Sequence, residues 1–156
     1  MTGGDNTATG SDALREDTTG YENTASGLNA LYGTTTGNDN TASGAYALLD
    51  NTTGSDNTAG GAYALFDNTT GSSNTASGAY ALFSNRSSSN MASGAYALYS
   101  NTTGSSNTAI GTDALYNNFV GSYNTAVGAI AGPDPSTPGL TNSTAIGAFA
   151  LSLIHI

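Results

Sequence analysis

Asn40-Thr41-Ala42-Ser43-Gly44-Ala45-Tyr46-Ala47-Leu48-Leu49-Asp50-Asn51-Thr52-Thr53-Gly54-Ser55-Asp56 is followed at once by a second version of itself beginning at Asn57. The leading motif Asn-Thr-Ala-x-Gly begins at Asn6, Asn23, Asn40, Asn57, Asn74, Asn107 and Asn124. A near copy is Asn90-Met91-Ala92-Ser93-Gly94, and Ser143-Thr144-Ala145-Ile146-Gly147 is a ninth. The period is 17 residues, shortened to 16 before Asn90 and lengthened to 19 before Ser143. Such a period is too short for a helix pair and too regular for disorder. It suits one coil of a parallel solenoid, each copy stacking on the last at about 4.8 Å, so that nine coils make a rod of roughly 40 Å. The expected fold is therefore all-β, a parallel β-solenoid of about nine 17-residue coils over residues 1–150. The long spacing holds all three prolines, and residues 132–139 read as a loop extruded from the stack.

Each copy has three parts. Thr-Ala-x is the best strand. Its x position is Thr9, Ser26, Ser43, Gly60, Ser77 and Ser93, then Ile110, Val127 and Ile146, so the C-terminal coils are expected to be better packed. The second part centres on an Ala-Leu pair carrying Leu31, Leu48, Leu65, Leu82, Leu98 and Leu115, usually followed by an aromatic such as Tyr32, Phe66, Phe83, Tyr99 or Tyr116. Adjacent apolar residues on a strand point to opposite faces, so this leg is either a strand covered on both sides or one helical turn. The strand is slightly favoured, and the position before the pair, which holds Asp12, Asn29, Tyr46 and Asp113, is read as wet. The third part is a turn such as Asn51-Thr52-Thr53-Gly54, where Gly can take a positive φ. One Leu and one aromatic per coil make a thin core for 17 ordered residues, which argues for burial between chains. A homo-oligomer is expected, with three chains side by side as the natural fibre solution.

The repeats resemble the Asn-Ser-x-Ala-x-Gly units of the YadA-like heads of trimeric autotransporter adhesins, Asn107-Thr108-Ala109-Ile110-Gly111 in particular. The full unit from Asn40 to Asp56 is still more similar to repeats of bacterial and phage tail-fibre-type proteins. The resemblance implies a left-handed β-roll that trimerises and serves adhesion or receptor contact. It also implies a host surface, extracellular matrix or glycan receptor as partner. The autotransporter repeat is shorter than 17 residues, and no neck, stalk, anchor or chaperone domain occurs among these residues.

Composition narrows the function classes. Only 8% of residues are charged, against roughly 25% in typical soluble proteins, so the surface must be hydroxyls and amides. The net charge of −9 sets eleven acids against Arg15 and Arg86, which disfavours nucleic acid and anionic membrane surfaces as partners. There is no Cys, and no apolar run approaches the roughly 20 residues of a membrane span. Met1 is followed at once by Thr2-Gly3-Gly4-Asp5 and the first repeat, without a secretory signal. The expected place is nevertheless extracellular, at the cell surface or on a virion tail, with the native start upstream or export independent of a signal. Residues 151–156 drop the register after Leu151 and are also what a transposase end sequence encodes, so they are read as a non-native tail.

Stacking turns single residues into ladders. Asn23, Asn40, Asn57, Asn74, Asn107 and Asn124 are expected to form a buried amide ladder satisfying turn backbone groups. Gly27, Gly44, Gly61, Gly78, Gly111 and Gly128 recur beside the strand and, with the leucines, complete the structural set. Asp5, Glu22, Asp39 and Asp56 would lie one coil apart, as would Asp50 and Asp67. Calcium could relieve their repulsion, but the calcium-solenoid signature Gly-Gly-x-Gly-x-Asp is missing, so a solvated acidic edge is the better reading. Threonines rank on the strand (Thr7, Thr24, Thr41, Thr58, Thr75) and at the turn (Thr18-Thr19, Thr35-Thr36, Thr52-Thr53, Thr69-Thr70). Flat threonine arrays can bind ice or mineral, yet adjacent pairs cannot share one strand face. Asn51-Thr52-Thr53 and Asn101-Thr102-Thr103 fit the glycosylation pattern but read as turns. With His155 the sole histidine and the acids in repeated positions, neither enzyme activity nor a cofactor is expected. The reading is a structural and adhesive fibre segment; the alternative is an ice- or mineral-binding solenoid.

Overall fold

The computed structural model describes residues 3–133 and 139–152, and the chain is an all-β parallel solenoid with no helix among them. Three-residue strands recur once per coil: β1 Thr7–Thr9, β2 Thr24–Ser26, β3 Thr41–Ser43, β4 Thr58–Gly60, β5 Thr75–Ser77, β6 Met91–Ser93, β7 Thr108–Ile110, β8 Thr125–Val127 and β10 Thr144–Ile146. These nine form one parallel sheet in strand order, Ala on Ala throughout. A second, two-stranded sheet pairs β9, Gly132–Pro133, with β11, Leu151–Ser152. Leu151 and Ser152 thus continue the stack at the level of the backbone, whereas 153–156 and most of the 132–139 segment lie outside the described residues.

Strand alternation puts only the central Ala inside. Ala25, Ala42, Ala59, Ala76, Ala92, Ala109 and Ala126 are buried, while Thr and x face outward in most coils. The expectation that Ile110, Val127 and Ile146 tighten the C-terminal core is therefore corrected. They occupy the outward x position, and Ile146 is 71% exposed. Apolar character there changes the surface and leaves the core as it was.

The Ala-Leu leg is neither the favoured strand nor a right-handed helical turn. Residues 45–50, and their equivalents, form an irregular turn in which Leu48 takes φ 51° and Tyr46 φ 60°. A left-handed backbone at Leu costs roughly 1–2 kcal/mol. It also breaks the alternation that would turn neighbours to opposite faces, so Ala47 and Leu48 are both fully buried. Burying the leucine returns about 2 kcal/mol. The leg is also bonded to the coils on either side: Leu48 N–H donates to the Ala64 carbonyl at 2.9 Å, and Tyr46 N–H to the Leu28 carbonyl at 2.8 Å. Leu14, Leu31, Leu65, Leu82, Leu98 and Leu115 repeat the device, so the stack over-determines a conformation a lone segment would not hold.

The other half of the core is polar. Asn40 donates its backbone N–H and a side-chain N–H to Asn23 Oδ1, both at 3.0 Å, and a second side-chain N–H to the Gly54 carbonyl at 2.9 Å. Its own Oδ1 accepts the same pair from Asn57. The expected ladder is present, and it continues through Asn90 to Ser143. A second ladder runs beside it. Asn68 donates to Asn51 Oδ1 at 2.9 Å and to the Gly71 carbonyl at 2.8 Å, and Asn85, Asn101 and Asn118 follow. These turn asparagines are fully buried. From the coil of Asn40 to that of Asn107 the core thus consists of two Ala, one Leu and two Asn, and it closes within a single chain without help from the aromatics.

Two kinds of glycine permit this tight stacking. Gly27, Gly44, Gly61, Gly78, Gly111 and Gly128 have φ between 129° and 144°. A Cβ on Gly61 would lie 2.6 Å from the Gly78 carbonyl carbon. The turn glycines, such as Gly54, have negative φ, but a Cβ there would collide with the carbonyl of the next turn glycine. Where the coil is one residue shorter, Ser87 supplies the turn carbonyl to Asn74 at 2.8 Å, and the sheet register passes undisturbed from Thr75 to Met91.

The second ladder begins imperfectly. Asp17 and Thr34 hold its first two places, and the buried Thr34 hydroxyl has no hydrogen-bond partner. Thr34→Asn would offer Oδ1 to Asn51 and donors to Asp17 and the Gly37 carbonyl. It is expected to stabilise the chain by about 1 kcal/mol in urea unfolding followed by circular dichroism. Gly78→Ala, which places a methyl against the backbone of the next coil, should lower the unfolding midpoint by an amount worth several such bonds.

Candidate functional surfaces

With so regular a backbone, side-chain chemistry is arranged in columns along the solenoid, and three columns or pairs of columns stand out. The first is acidic. Asp5, Glu22, Asp39 and Asp56 precede the inner asparagines, at φ 56–59°, and are exposed. Glu22 is held above the ordinary glutamate value by its hydrogen bond with Asp39, then by the charge of Asp39, slight desolvation and the charge of Asp5. Asp50 is likewise raised, by partial burial first and then by Asp67 and Glu16. Among the described residues no group of three or more His, Cys, Asp or Glu is disposed to hold a metal ion. The geometry of the edge is that of like charges tolerating one another in solvent.

The second surface is the outer face of the nine-stranded sheet. Thr7, Thr24, Thr41, Thr58 and Thr75 make one column, and Thr9, Ser26, Ser43, Ser77 and Ser93 make another two residues along, broken by Gly60. Positions i and i+2 of a strand share a face, so these two hydroxyl columns are coplanar, about 4.8 Å apart along the axis and roughly 7 Å apart across it. The adjacent turn pairs are different. Thr35 Oγ1 donates to the Thr52 carbonyl at 3.0 Å and Thr102 Oγ1 to the Phe119 carbonyl at 2.7 Å, so those hydroxyls serve the stack. Beyond Ser93 the outer column becomes Ile110, Val127 and Ile146.

The third surface is aromatic. Tyr46, Tyr63, Tyr80 and Tyr96 stack with centroids 4.9–5.0 Å apart and planes within 12° of parallel. Phe66, Phe83, Tyr99 and Tyr116 form a parallel column at 4.9–5.1 Å. The two columns meet at tilted contacts such as Tyr63–Phe66, 5.7 Å. The position before the Ala-Leu pair, read as wet, is corrected in part: Tyr46, Tyr63 and Tyr80 are half-buried against their own copies, Asn29 and Asp113 are also half-buried, and Tyr96 is exposed. Elsewhere Asp12 remains exposed as expected. Loss of hydration also pushes the Tyr99 phenol up, with smaller contributions from neighbouring tyrosines and Asp67.

Several sequence candidates have no place on these surfaces. Asn51 and Asn101, which fit the glycosylation pattern, are sealed in the second ladder. His155 lies outside the described residues. No helix of the described residues is long and apolar enough to cross a membrane. Two features escaped the reading of the sequence: the second amide ladder, signalled by Asn51, Asn68, Asn85, Asn101 and Asn118, and the tyrosine column, signalled by Tyr46, Tyr63, Tyr80 and Tyr96 at the coil period. Comparison with protein-family models, with curated proteins and with solved structures finds no match to the chain.

The raised Glu22 fixes a sign for pH dependence. A carboxyl whose folded value is raised keeps its proton while the unfolded chain loses it, so its contribution to stability falls as pH rises above the ordinary value of 4.5. At low salt, Glu22→Gln should therefore raise the melting temperature at neutral pH and leave it unchanged at acidic pH. The difference should vanish at about 1 M salt, where the screening length is roughly 3 Å. Added calcium is expected to leave the melting temperature where it was.

Proposed function

We propose that this chain is a structural and adhesive segment of a cell-surface adhesin or tail fibre. It acts there as a rigid spacer and as a surface for receptor contact, outside the cell or on a virion, in a homotrimer. The observation that carries the reading is the coil-to-coil bonding, in which the sheet, the turn leg and the inner amide ladder link successive coils and the second ladder joins them from Asn51 to Asn118. A body bonded continuously along its axis resists bending. Its surface is mostly hydroxyl, amide and aromatic groups, suited to host surface, matrix or glycan contact and poorly suited to nucleic acid. The resemblance of the repeats to YadA-like heads and tail-fibre-type proteins points the same way, and it carries the expectation of a left-handed roll.

Small-angle scattering combined with binding to immobilised host cells, matrix proteins and glycans tests this reading. A rod-like particle that binds one of these surfaces is expected. A particle that is not elongated, or one that binds none of them, overturns the proposal.

A second reading is favoured by one observation, the coplanar Thr and Ser columns of the sheet face. Their two-dimensional spacing is the kind of array on which ordered water or a mineral lattice can register. If that is the function, the chain shows thermal hysteresis or alters crystal growth, and Thr41→Asp with Thr75→Asp abolishes the effect without lowering the melting temperature. Unaltered ice and mineral growth with the wild-type chain excludes it.

A further inference from the structure

The aromatic double column is the surface whose chemistry the fold leaves open. We infer that it is the face along which a second copy of this chain docks, lengthwise and with the coils of the two copies in step. The inference rests on the fibre reading, which it deepens by naming where copies meet.

Three observations support a second copy over other occupants. First, the rings present the wrong aspect to a sugar. Within each column the inner rings are covered on both faces by their neighbours at 4.9–5.1 Å, which leaves ring faces open only at the two ends, whereas a pyranose stacks on faces. What remains open along the strip is ring edges and tyrosine hydroxyls. Second, the strip repeats once per coil. An object can make the same contact at every coil only if it has the same axial period, and another copy of this chain has it by construction. Third, the charge pattern permits approach along the strip and opposes it along the acidic edge. The chain carries a net −9, and the acidic column at Asp5, Glu22, Asp39 and Asp56 repels its counterpart on another copy. From Asn29 to Tyr96 in one column and Tyr32 to Tyr116 in the other there is no charged residue. Asp12 and Arg15 close the strip at one end and Asp113 at the other, and Asp50 and Asp67 border it.

The area is of the right order. A fully buried aromatic removes roughly 150–250 Å² from water, so eight rings, seven of them half-buried and Tyr96 exposed, leave on the order of 500 Å² to cover. The flanking column that begins at Leu28, 43% exposed, and continues through Ala45, Ala62, Ala79 and Ala95 adds to this. Together they approach the about 800 Å² per partner of a standard stable interface.

The repeat itself supplies a substitution that the backbone accepts. Asp12 and Asp113 occupy the tyrosine position of other coils at φ 56°, so Tyr63→Asp with Tyr96→Asp places charges two coils apart in a conformation already used by Asp. Size-exclusion chromatography with light scattering is expected to give a whole-number multiple of the single-chain mass for the wild type. It should give the single-chain mass for Tyr63→Asp/Tyr96→Asp, with the circular-dichroism spectrum retained. Ser43→Asp/Ser77→Asp, on the sheet face, should keep the multiple. Hydroxyl-radical footprinting of the wild type reads the same surface without mutation: Tyr63 and Tyr80 become protected as concentration rises, while Tyr123, 64% exposed, stays reactive. A wild type of single-chain mass at every concentration overturns the inference, as does a multimer whose Tyr63 and Tyr80 stay reactive. A single-chain particle that still binds a host surface would remove this interface and leave adhesion standing, whereas a multimer that binds nothing would do the reverse.

Discussion

Everything in this molecule depends on one hydrogen-bonding unit, the side-chain amide of an inner asparagine bridging three backbones. Asn40 ties its own turn to the preceding coil through Asn23 Oδ1, to the closing turn of its own coil through the Gly54 carbonyl, and to the following coil through its Oδ1, which accepts from Asn57. A buried amide left unpaired costs about 1–3 kcal/mol, so each rung is stable only if the rungs above and below are in place. That condition makes the structure cooperative along its axis. It also fixes the register of the strands, because a slip by one residue would strand an amide in every coil at once.

The amide ladders set the demands on their neighbours. Two asparagines per coil require the chain to turn sharply while presenting carbonyls at strand spacing, and only glycine tolerates the resulting backbone approach at Gly54 or Gly61. With half the cross-section taken by amides, the apolar half must be small. One Leu and two Ala fill it, and the left-handed φ of Leu48 lets Ala47 and Leu48 face inward together. The aromatics are then excluded from the interior by size. They stack on their own copies outside, and the surface acquires its most distinctive feature as a by-product of a narrow core.

The surface columns share one origin. A solenoid converts a residue type at one repeat position into a line of that type, so small changes in the sequence at one position alter a whole face. Ser to Ile at x turns a hydroxyl face into an apolar one between Ser93 and Ile110, while the Ala beneath stays the same. Such a body can vary its contact chemistry coil by coil without renegotiating its core.

Sequence alone determined the coil. The 17-residue spacing, the Thr-Ala-x strand, the inner asparagine ladder and the acidic column were all legible because a parallel stack maps the period directly onto space. The direction in which each side chain points was not. The Ala-Leu pair looked like a strand or a helical turn because both assume a right-handed or extended backbone at Leu; only the stacked neighbours make a positive φ acceptable there. Asn51 and its equivalents looked like ordinary turn residues, and the outward direction of Ile110 and Ile146 was hidden, because burial is decided by which side of a closed coil a residue occupies. That side is set by the sum of the backbone dihedrals around the coil, which no single position in the repeat reveals.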